Sequence, residues 1–351
     1  MRTPEIAAID LFCGLGGLTH GLRKSGINVS LGVDLDPACR YPYISNNESE
    51  FWLRSVSDLK GSELLPFFKG SALTLLAGCA PCQPFSTYSQ GWASPSDHRW
   101  DLLGEFSRLV GETRPHFVTM ENVPGLRRLQ VFHRFVDSLK QLGYDVSHSI
   151  VACSDYGVPQ MRKRLVLLAS KLGPVELVEP AKRRAGPVTV RSVIEKLPPI
   201  EAGGICEKDQ LHQASGLSEI NLARIQASVP GGSWRDWPSK LVADCHRKSS
   251  GKRYVSVYGR MEWDLPSPTI TTQFHGFGNG RFGHPEQDRA LSLREGAMLQ
   301  SFPRTYKFAK PGEQISREGI ARLIGNAVPV RLGEVIGKSF MRHIKNSVGI
   351  D

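Results

Sequence analysis

One cysteine of this chain lies in a setting suited to nucleophilic chemistry. Cys82 stands between Pro81 and Gln83, after an apolar run that ends at Gly78, and this pattern predicts a buried strand followed by a stiff loop. Because proline fixes its own backbone torsion and restricts the preceding residue, the Cys82 thiol would be held on a backbone with little freedom. Such a thiol is a candidate nucleophile, but the Cys79-x-x-Cys82 spacing leaves a structural, zinc or redox role open.

The seven cysteines do not fit a zinc site or a disulfide framework. Their number is odd and they are scattered through 351 residues, which favours free thiols in a reducing compartment. The nearest histidine after the cysteine pair is His98, too far along the chain for the short ligand spacing of a zinc site. The sequence therefore predicts no metal.

A glycine-rich turn near the amino terminus predicts a cofactor site. An apolar strand-like run at residues 6–12 ends in a turn containing Gly14 and Gly17, and a helix and a second strand ending at Asp34 follow. Glycines let the backbone approach a ligand, and a carboxylate after the second strand can bind ribose hydroxyls. The pattern predicts a nucleoside-containing cofactor without specifying which, and a simple tight turn is the alternative. Asp58, after a third segment, is either a second cofactor-facing acid or a helix cap.

Two further polar groups are placed where they could face the same ligand. Glu121 ends a buried strand, and the carboxyl ends of strands in an open α/β sheet share one crevice, so Cys82 and Glu121 are expected to be neighbours. Arg162 and Arg164 precede another strand and point to the same side of an extended chain. Two guanidinium groups suit a phosphate or an oxygen-rich ligand, with a solvated basic face as the alternative.

Composition bounds the class of protein and its organisation. A hydrophobic content of 40% with 22% charged residues is typical of a globular protein, and the length favours one large domain plus a smaller one. No apolar run approaches the roughly 20 residues of a membrane span, and no signal peptide is evident. The net charge of +10 weakly favours a polyanionic partner. After Gly173 prolines multiply and basic residues mix with aromatics, as on a nucleic-acid face or an irregular surface domain.

Six segments in order resemble the motifs of the DNA cytosine-5 methyltransferases, and the resemblance covers nearly the whole chain. The segments are Asp10-Leu11-Phe12-Cys13-Gly14-Leu15-Gly16-Gly17, Pro81-Cys82-Gln83-Pro84-Phe85-Ser86, Glu121-Asn122-Val123, Gln160-Met161-Arg162-Lys163-Arg164, Arg294-Glu295 through Pro303, and Gly325-Asn326-Ala327-Val328-Pro329. The resemblance implies an α/β fold: a Rossmann-like S-adenosylmethionine-dependent domain at residues 1–172, completed by 306–351. A smaller, irregular target-recognition domain is expected at 173–305.

The resemblance also implies a covalent mechanism on a cytosine flipped out of double-stranded DNA. The Cys82 thiolate would add to carbon 6 of the ring, while Glu121 engages ring nitrogen 3 and the exocyclic amino group. Arg164 would hold the carbonyl oxygen of the base, and Arg162 would support the cysteine loop or a phosphate. Carbon 5 would then take the methyl group of S-adenosylmethionine, leaving S-adenosylhomocysteine, and loss of the carbon 5 proton would release Cys82.

Family motifs imply the remaining site residues. Those expected around the cofactor are Phe12, Gly14, Gly17, Asp34, Leu35, Asp58, Leu59, Pro81, Leu102, Asn326 and Val328. The third segment has Ser57-Asp58-Leu59 in place of the frequent Gly-Asp-Ile, a departure that bears on Asp58. Those expected to contact DNA are Ser86, Gln90 and Thr269.

Three alternatives remain open from the sequence. A transfer-RNA cytosine-5 methyltransferase would share the catalytic motifs, whereas a nucleotide-dependent oxidoreductase would leave the Pro-Cys-Gln and Glu-Asn-Val segments unexplained. A catalytically silent binding subunit is disfavoured because Cys82, Glu121 and both arginines are present. For the DNA enzyme we expect a monomer on DNA, a cognate restriction or defence nuclease or a solitary role, and a cytoplasmic, nucleoid-associated location if it is bacterial.

Overall fold

A mixed sheet of seven strands forms the centre of the first of two units in the chain. The computed structural model describes residues 5–81, 102–181 and 186–348. The strands of the sheet are β1 (Ile6–Leu11), β2 (Asn28–Asp34), β3 (Glu50–Leu53), β4 (Leu73–Gly78), β5 (Phe117–Asn122), β6 (Asp145–Ala152) and β7 (Lys163–Ser170). Their order across the sheet is β3-β2-β1-β4-β5-β7-β6.

The direction of the strands decides where a ligand can bind. Strands β1 to β5 are parallel, and β7 is antiparallel to both β5 and β6. The carboxyl ends of β1, β2, β4 and β5 therefore share one edge. β1 and β5 are buried along their whole length, as expected for central strands covered on both faces. The α/β, Rossmann-like fold predicted from the sequence is confirmed, and its sheet is mostly parallel.

Helices pack on this sheet through amphipathic faces and one close approach. They are α1 (Gly17–Lys24), α2 (Arg40–Asn47), α3 (Gly61–Leu64), α4 (Leu102–Thr113), α5 (Gln130–Gln141) and α11 (Val330–Val348). α4 and α5 bury Phe106 and Phe135 against each other in the main core, with ring centroids 5.3 Å apart. A Cβ on Gly21 of α1 would lie 2.3 Å from the carbonyl oxygen of Val330. Glycine at position 21 thus lets the last helix of the chain pack on α1.

The second unit contains few and short regular elements. They are α6 (Val190–Ile194), β8 (Ile205–Cys206), β9 (Asp209–Gln213), α7 (Glu219–Gln226), α8 (Asp244–Arg247), α9 (Leu293–Leu299) and α10 (Arg317–Asn326). A small core includes Trp234, Trp237 and Phe277. The indole of Trp234 stacks on the imidazole of His246 at 4.5 Å. Aromatic packing therefore organises a part of this unit that has little secondary structure.

The unit boundaries differ from those expected from the sequence. The sheet unit comprises Met1–Tyr156, Lys163–Ala181 and Ala327–Asp351, and the loop-rich unit comprises Gly157–Arg162 and Lys182–Asn326. The segment after β7 stays with the sheet unit because the backbone N–H of Val178 donates to Ser339 Oγ of α11 at 3.0 Å. α10 joins the loop-rich unit because Gln300 Nε2 donates to the carbonyl oxygen of Ile324 at 2.8 Å. The compact units therefore divide after residues 181 and 326, and the bounds 173–305 of the target-recognition domain stay a prediction.

Candidate active site

The carboxyl edge of the sheet brings together residues that are distant in sequence. β1 leads into the turn at Gly14, β2 ends at Asp34, β4 leads to Pro81, and β5 includes Glu121. Because these four strands are parallel neighbours, their ends line the same edge, where open α/β sheets bind ligands. The predicted strand-end residues of the sheet unit therefore do lie along one edge.

The glycine-rich turn leaves space beside its backbone. Phe12 and Gly14 both have positive φ values, 58° and 53°, and the N–H of Cys13 donates to the carbonyl oxygen of Val33 at 3.1 Å. A Cβ added at Gly14 would meet no atom within 4 Å, so the left-handed backbone rather than crowding favours glycine there. Gly17 begins α1 directly after the turn. The open space allows a ligand to approach the backbone, as a nucleoside cofactor requires.

Asp34 closes this turn and keeps acceptor capacity. Its Oδ2 accepts from the N–H of Gly14 at 2.8 Å and its Oδ1 from the N–H of Asp36 at 2.9 Å. Burial raises the pKa of Asp34, although both of these hydrogen bonds oppose the shift. Each carboxylate oxygen can accept a second hydrogen bond, so the group can still bind ribose hydroxyls.

Apolar side chains beside Asp34 fit the adenine end of such a cofactor. Leu35 is 69% exposed, an unusual position for a leucine directly after a buried strand. Leu59 is buried in the main core, whereas Asp58 is exposed at the end of a short 3-10 turn. The Asp34 carboxylate and the free space beside the backbone of Gly14 therefore fit S-adenosylmethionine. Leu35 offers an apolar surface, and Asp58 offers an accessible carboxylate.

Two residues of α4 that sequence reasoning missed stabilise the 3-10 turn that contains Asp58. Arg108 donates through Nη2 to the carbonyl oxygen of Leu59 at 2.9 Å and through Nη1 to Glu112 at 2.7 Å. Glu112 in turn accepts from the backbone N–H of Gly61 at 2.5 Å. The charge spacing of Glu105, Arg108 and Glu112 on one helical face was the available signal, but it suggests only pairing within the helix.

A side chain of β5 stabilises the backbone that precedes the predicted nucleophile, Cys82. Asn122 Nδ2 donates to the carbonyl oxygen of Ala80 at 3.1 Å, and the N–H of Cys79 donates to the carbonyl oxygen of Leu11 at 3.3 Å. These bonds fix the backbone leading to Pro81, which is exposed. The predicted residues Cys82, Ser86 and Gln90 lie outside the described residues.

Glu121 and Arg164 meet across neighbouring strands. Glu121 of β5 is buried, and its Oε1 lies 3.0 Å from Arg164 Nε of β7. The alignment does not make this a hydrogen bond, and Oε1 accepts none from the described residues. A shielded carboxylate oxygen with a guanidinium beside it can accept hydrogen bonds from the amino group and a protonated ring nitrogen of a base.

The other predicted residues fall into both units. In the loop-rich unit the buried Arg162 donates to the carbonyl oxygens of Ile270 at 3.0 Å and Gly325 at 3.1 Å. Thr269 Oγ1 donates to the carbonyl oxygen of Met161 at 2.9 Å.

Three predicted cofactor residues have simpler settings. Asn326 is exposed at the end of α10 and belongs to the loop-rich unit, whereas Val328 is buried in the sheet unit. Leu102 begins α4 and packs against the main core. Arg162 and Arg164 belong to different units, so their roles in one site stay a prediction.

A buried carboxylic acid lies under the glycine-rich turn. Asp10 near the end of β1 is 1% exposed, and its Oδ2 accepts from Thr19 Oγ1 at 2.6 Å. Thr19 lies 3.2 Å from the hydroxyl of Tyr43, which lies 3.1 Å from Ser49 Oγ. Burial raises the pKa of Asp10 to about 7. Sequence reasoning noted Asp10 only as part of a motif, because the extent of its burial depends on packing.

The described residues contain neither a metal-binding cluster nor a membrane-spanning helix. Within residues 5–81, 102–181 and 186–348, no three His, Cys, Asp or Glu side chains are grouped as a metal ion would require. Among the helices of the same residues, none is long and apolar enough to cross a membrane.

The fold and the site define an α/β protein with a nucleoside-cofactor edge, and comparison with known proteins identifies its family. The family model described as C-5 cytosine-specific DNA methylase matches residues 6–342. The type II methylase M.HgiDII of Herpetosiphon aurantiacus is 54% identical over 342 residues, 97% of this chain and 96% of the relative. The type II methyltransferase M1.HphI of Haemophilus parahaemolyticus is 31% identical over 349 residues, 96% of this chain and 87% of the relative.

A solved structure agrees on the fold. The structure of a DNA modification methyltransferase encoded within an E. coli prophage matches with a TM-score of 0.73 at 24% identity, covering 97% of this chain and all of that one. This chain therefore belongs to the C-5 cytosine-specific DNA methylases. The prediction of a DNA (cytosine-5-)-methyltransferase is confirmed, and the family depends on S-adenosylmethionine. The transfer-RNA alternative is not favoured.

Proposed function

We propose that this enzyme methylates carbon 5 of a flipped-out cytosine in double-stranded DNA through a covalent Cys82 adduct. Modification within a type II restriction–modification system is the proposed role, because the relative at 54% identity is named a type II methylase. A cognate nuclease, action as a monomer on DNA and a cytoplasmic location near the chromosome complete the proposal. The observation that carries it is the buried Glu121 oxygen beside Arg164 on the edge that also presents the glycine-rich turn.

Each residue then has one task on the base. Carbon 5 of cytosine is a poor nucleophile, so the ring is activated when the Cys82 thiolate bonds to carbon 6 and electron density moves toward ring nitrogen 3. Glu121 stabilises this change by hydrogen bonds to nitrogen 3 and the amino group, and Arg164 offers its guanidinium to the carbonyl oxygen. S-adenosylmethionine, when bound, supplies an electrophilic methyl group on a sulfonium. Loss of the carbon 5 proton then lets the bond to Cys82 break.

The loop-rich unit is proposed to contribute target recognition. Arg162 donates to the carbonyl oxygens of Ile270 and Gly325 within this unit, and support of the cysteine loop or of a phosphate is its proposed further role. Residues 173–305 remain our proposal for the recognition domain, with Thr269 as a phosphate contact. Ser86 and Gln90 are proposed to contact DNA from the segment that follows Cys82. A base inside a duplex cannot reach Glu121, so flipping is required, at a cost of a few kcal/mol.

Mass spectrometry of nucleosides tests the substrate. We expect 5-methylcytosine in DNA and none in transfer RNA after incubation with S-adenosylmethionine, and label confined to RNA would refute the DNA proposal. Cys82→Ser should lower turnover at least about 10³-fold because the nucleophile is lost. Glu121→Gln, which keeps the shape and removes the charge, should lower kcat about 10²-fold.

A substituted base tests the covalent step. When fluorine replaces the carbon 5 hydrogen, no proton can leave after methyl transfer, so the enzyme should stay bonded to the DNA. We expect a band resistant to denaturing electrophoresis with the wild type and none with Cys82→Ser. Full methylation activity without any such band would exclude the adduct and leave the substrate assignment intact.

A further inference from the structure

Arg54 directly follows the edge strand β3 and bonds to both segments that carry the predicted cofactor carboxylates. Its backbone N–H donates to the carbonyl oxygen of Asp34 at 3.1 Å, which continues the pairing of β2 with β3 by one residue. Its side chain donates through Nη2 to the carbonyl oxygen of Asp58 at 3.0 Å. We name residues 56–59 the Asp58 turn. A single residue therefore links the end of β2 to the Asp58 turn.

Further contacts restrict the guanidinium of Arg54. Its Nη1 donates to Glu63 Oε1 at 2.7 Å, and Glu63 Oε2 accepts from the N–H of Lys60 at 2.9 Å. The hydrogen bond from Arg54 lowers the pKa of Glu63, so this carboxylate is ionised at neutral pH. The guanidinium carbon also lies 5.7 Å from the ring centroid of Trp52. These partners hold the side chain in one arrangement, although 38% of it is exposed.

The Asp58 turn is bonded from two different elements at consecutive residues. Beside the bond from Arg54, the carbonyl oxygen of Leu59 accepts from Arg108 Nη2 of α4 at 2.9 Å. The carboxylate of Asp58 is exposed, and within the described part of the chain it accepts no hydrogen bond. A free acceptor on a fixed backbone is suited to a ligand, because less freedom is lost when the ligand binds.

The position of Arg54 between two acids gives its side chain a consequence for the whole cofactor edge. The backbone of Asp34 is bonded to the backbone of Arg54, and the Asp34 carboxylate accepts from the N–H of Gly14 at 2.8 Å. The Arg54 side chain then sets how far the Asp58 turn lies from this fixed group. Two acceptors bind one ligand together only when their spacing matches it, so a small displacement of either weakens binding.

We propose that Arg54 is a positioning residue of the S-adenosylmethionine site, which it serves by holding the Asp58 turn at a set distance from Asp34. The inference rests on the proposed function, since it takes both acids as contacts of the cofactor. An exposed ion pair such as that of Arg54 with Glu63 contributes little to stability by itself. The loss of Arg54 should therefore weaken cofactor binding without unfolding the enzyme.

The test compares two arginines of the sheet unit. Arg54→Met removes the bonds to Asp58 and Glu63. Arg23→Met is the control, because it removes an ion pair with Glu48 at 2.8 Å and leaves the Asp58 turn untouched. Binding of S-adenosylmethionine without DNA would be measured by isothermal titration calorimetry, which reports the Kd and the number of competent sites separately.

Loss of positioning predicts a higher Kd with an unchanged number of sites. For Arg54→Met we expect the Kd to rise about threefold to tenfold, the range that follows from one lost hydrogen bond, whereas Arg23→Met should keep the wild-type value. A general loss of structure would instead lower the number of competent sites and leave the Kd of the remaining molecules unchanged. That result, or a wild-type Kd with all sites present, would overturn the proposal.

A lysine at the same position separates geometry from charge. Arg54→Lys keeps the positive charge but lacks the planar fork that bonds to a carbonyl oxygen and a carboxylate at once. We expect its Kd to stay clearly above the wild-type value. Full recovery of the wild-type Kd would mean that the charge of Arg54, and not its geometry, favours the cofactor, which also contradicts the positioning role.

A double substitution tests whether Arg54 acts through Asp58. Asp58→Ala alone should raise the Kd, and Arg54→Met should have a much smaller effect in that background, because groups that act together are not additive. Additive effects, or a wild-type Kd for Asp58→Ala, would refute the route. If the wild type binds S-adenosylmethionine and methylates DNA while these comparisons fail, only the positioning role is lost. A wild type that neither binds this cofactor nor methylates DNA would refute the proposed function itself.

Discussion

Two buried carboxylates show how differently the two units are stabilised. Asp10 of the sheet unit is 1% exposed, and its Oδ1 accepts no hydrogen bond from the described residues. Burial raises its pKa to about 7. Glu295 of the loop-rich unit is fully buried, but Arg289 donates to its two oxygens at 2.8 and 2.7 Å. Burial alone would raise the pKa of Glu295, yet hydrogen bonds and the charge of Arg289 bring it down to about 2.

The difference follows from what fixes the backbone in each unit. Strand ladders hold the sheet unit, so a carboxylate at the ligand edge can remain without a cationic partner. The loop-rich unit has short elements, and buried guanidinium groups take over: Arg260 donates to carbonyl oxygens of Ile225, Ser228 and His284. A guanidinium has five N–H donors and can bond to carbonyl oxygens of several loops at once. A strand forms its backbone bonds only with the strands directly beside it. Buried arginines therefore stabilise the backbone of the loop-rich unit, whereas hydrogen bonds between strands stabilise that of the sheet unit.

Removing a buried cation from the loop-rich unit should have the largest effect. Arg289→Met leaves Glu295 buried and without its ion pair, so we expect the free energy of unfolding to fall by about 3 to 5 kcal/mol. Urea unfolding followed by tryptophan fluorescence would measure it. Because the pKa of Glu295 lies below its ordinary 4.5, its stabilisation is complete above pH 4.5 and is lost as pH falls toward 2.

An exposed arginine of the same unit is the control. Arg191 pairs with Asp264 at 2.7 Å and with Glu195 at 2.8 Å, but all three side chains are exposed to solvent. Arg191→Met should therefore lower the free energy of unfolding much less than Arg289→Met does. If Arg289→Met cost no more than Arg191→Met, buried ion pairs would not be what stabilises the loop-rich unit.

Asp10 should show the opposite dependence on pH. Its pKa is raised in the folded state, so between pH 3.8 and about 7 the folded protein holds a proton that the unfolded chain has released. Stability therefore falls as pH rises through this window, and the penalty is complete above pH 7. Asp10→Asn cannot ionise, and its advantage over the wild type should grow by about 2 to 3 kcal/mol between pH 5 and pH 8.

The prediction for Asp10 is tested by comparing the free energies of unfolding of variant and wild type at pH 5 and at pH 8. An amide nitrogen in place of Oδ1 would also lack a partner, but that cost of about 1 to 3 kcal/mol is the same at pH 5 and pH 8. Measuring the unfolding of both proteins at both pH values therefore isolates the contribution of Asp10 ionisation. A pH-independent difference between variant and wild type would mean that Asp10 is ionised in the folded enzyme throughout this range.

Patterns along the chain predict strand ends well, and with them the edge of the sheet where Gly14, Asp34 and Glu121 lie. This works because apolar runs followed by glycine or an acid mark the carboxyl ends of buried strands, and parallel strands share that edge. The spacing of Arg162 and Arg164 was less informative. It suggests one shared side, but β7 begins at Lys163, and Arg162 donates to carbonyl oxygens of the loop-rich unit instead.

Contacts between separate elements could not be predicted in the same way. The bond from Asn122 to Ala80 depends on how β5 and β4 are paired in register, and the bond from Arg108 to Leu59 depends on how α4 packs. Neither partner is marked by residue type or by periodicity. Sequence patterns therefore identify groups that bind ligands but not the side chains that hold them in position.

Of the substitutions at Arg289, Asp10 and Arg108, the one at Arg108 should have the smallest effect. Its bond to the carbonyl oxygen of Leu59 stabilises the turn that contains Asp58, one of the residues expected around the cofactor. Arg108→Met removes this bond and the pair with Glu112, so the bond between Glu112 and the N–H of Gly61 is the remaining described support from α4. We expect the KM for S-adenosylmethionine to rise about tenfold, equivalent to about 1.4 kcal/mol, with a smaller change in kcat.

The split between KM and kcat distinguishes positioning from general loss of structure. A merely destabilised enzyme would lose active molecules, which lowers kcat and leaves KM unchanged, whereas a displaced turn weakens cofactor binding in every molecule. Arg23→Gln is the matched control, because Arg23 forms an ion pair with Glu48 on the same unit without contacting the turn. An equal KM in both variants would mean that the bond from Arg108 to Leu59 does not position the cofactor site.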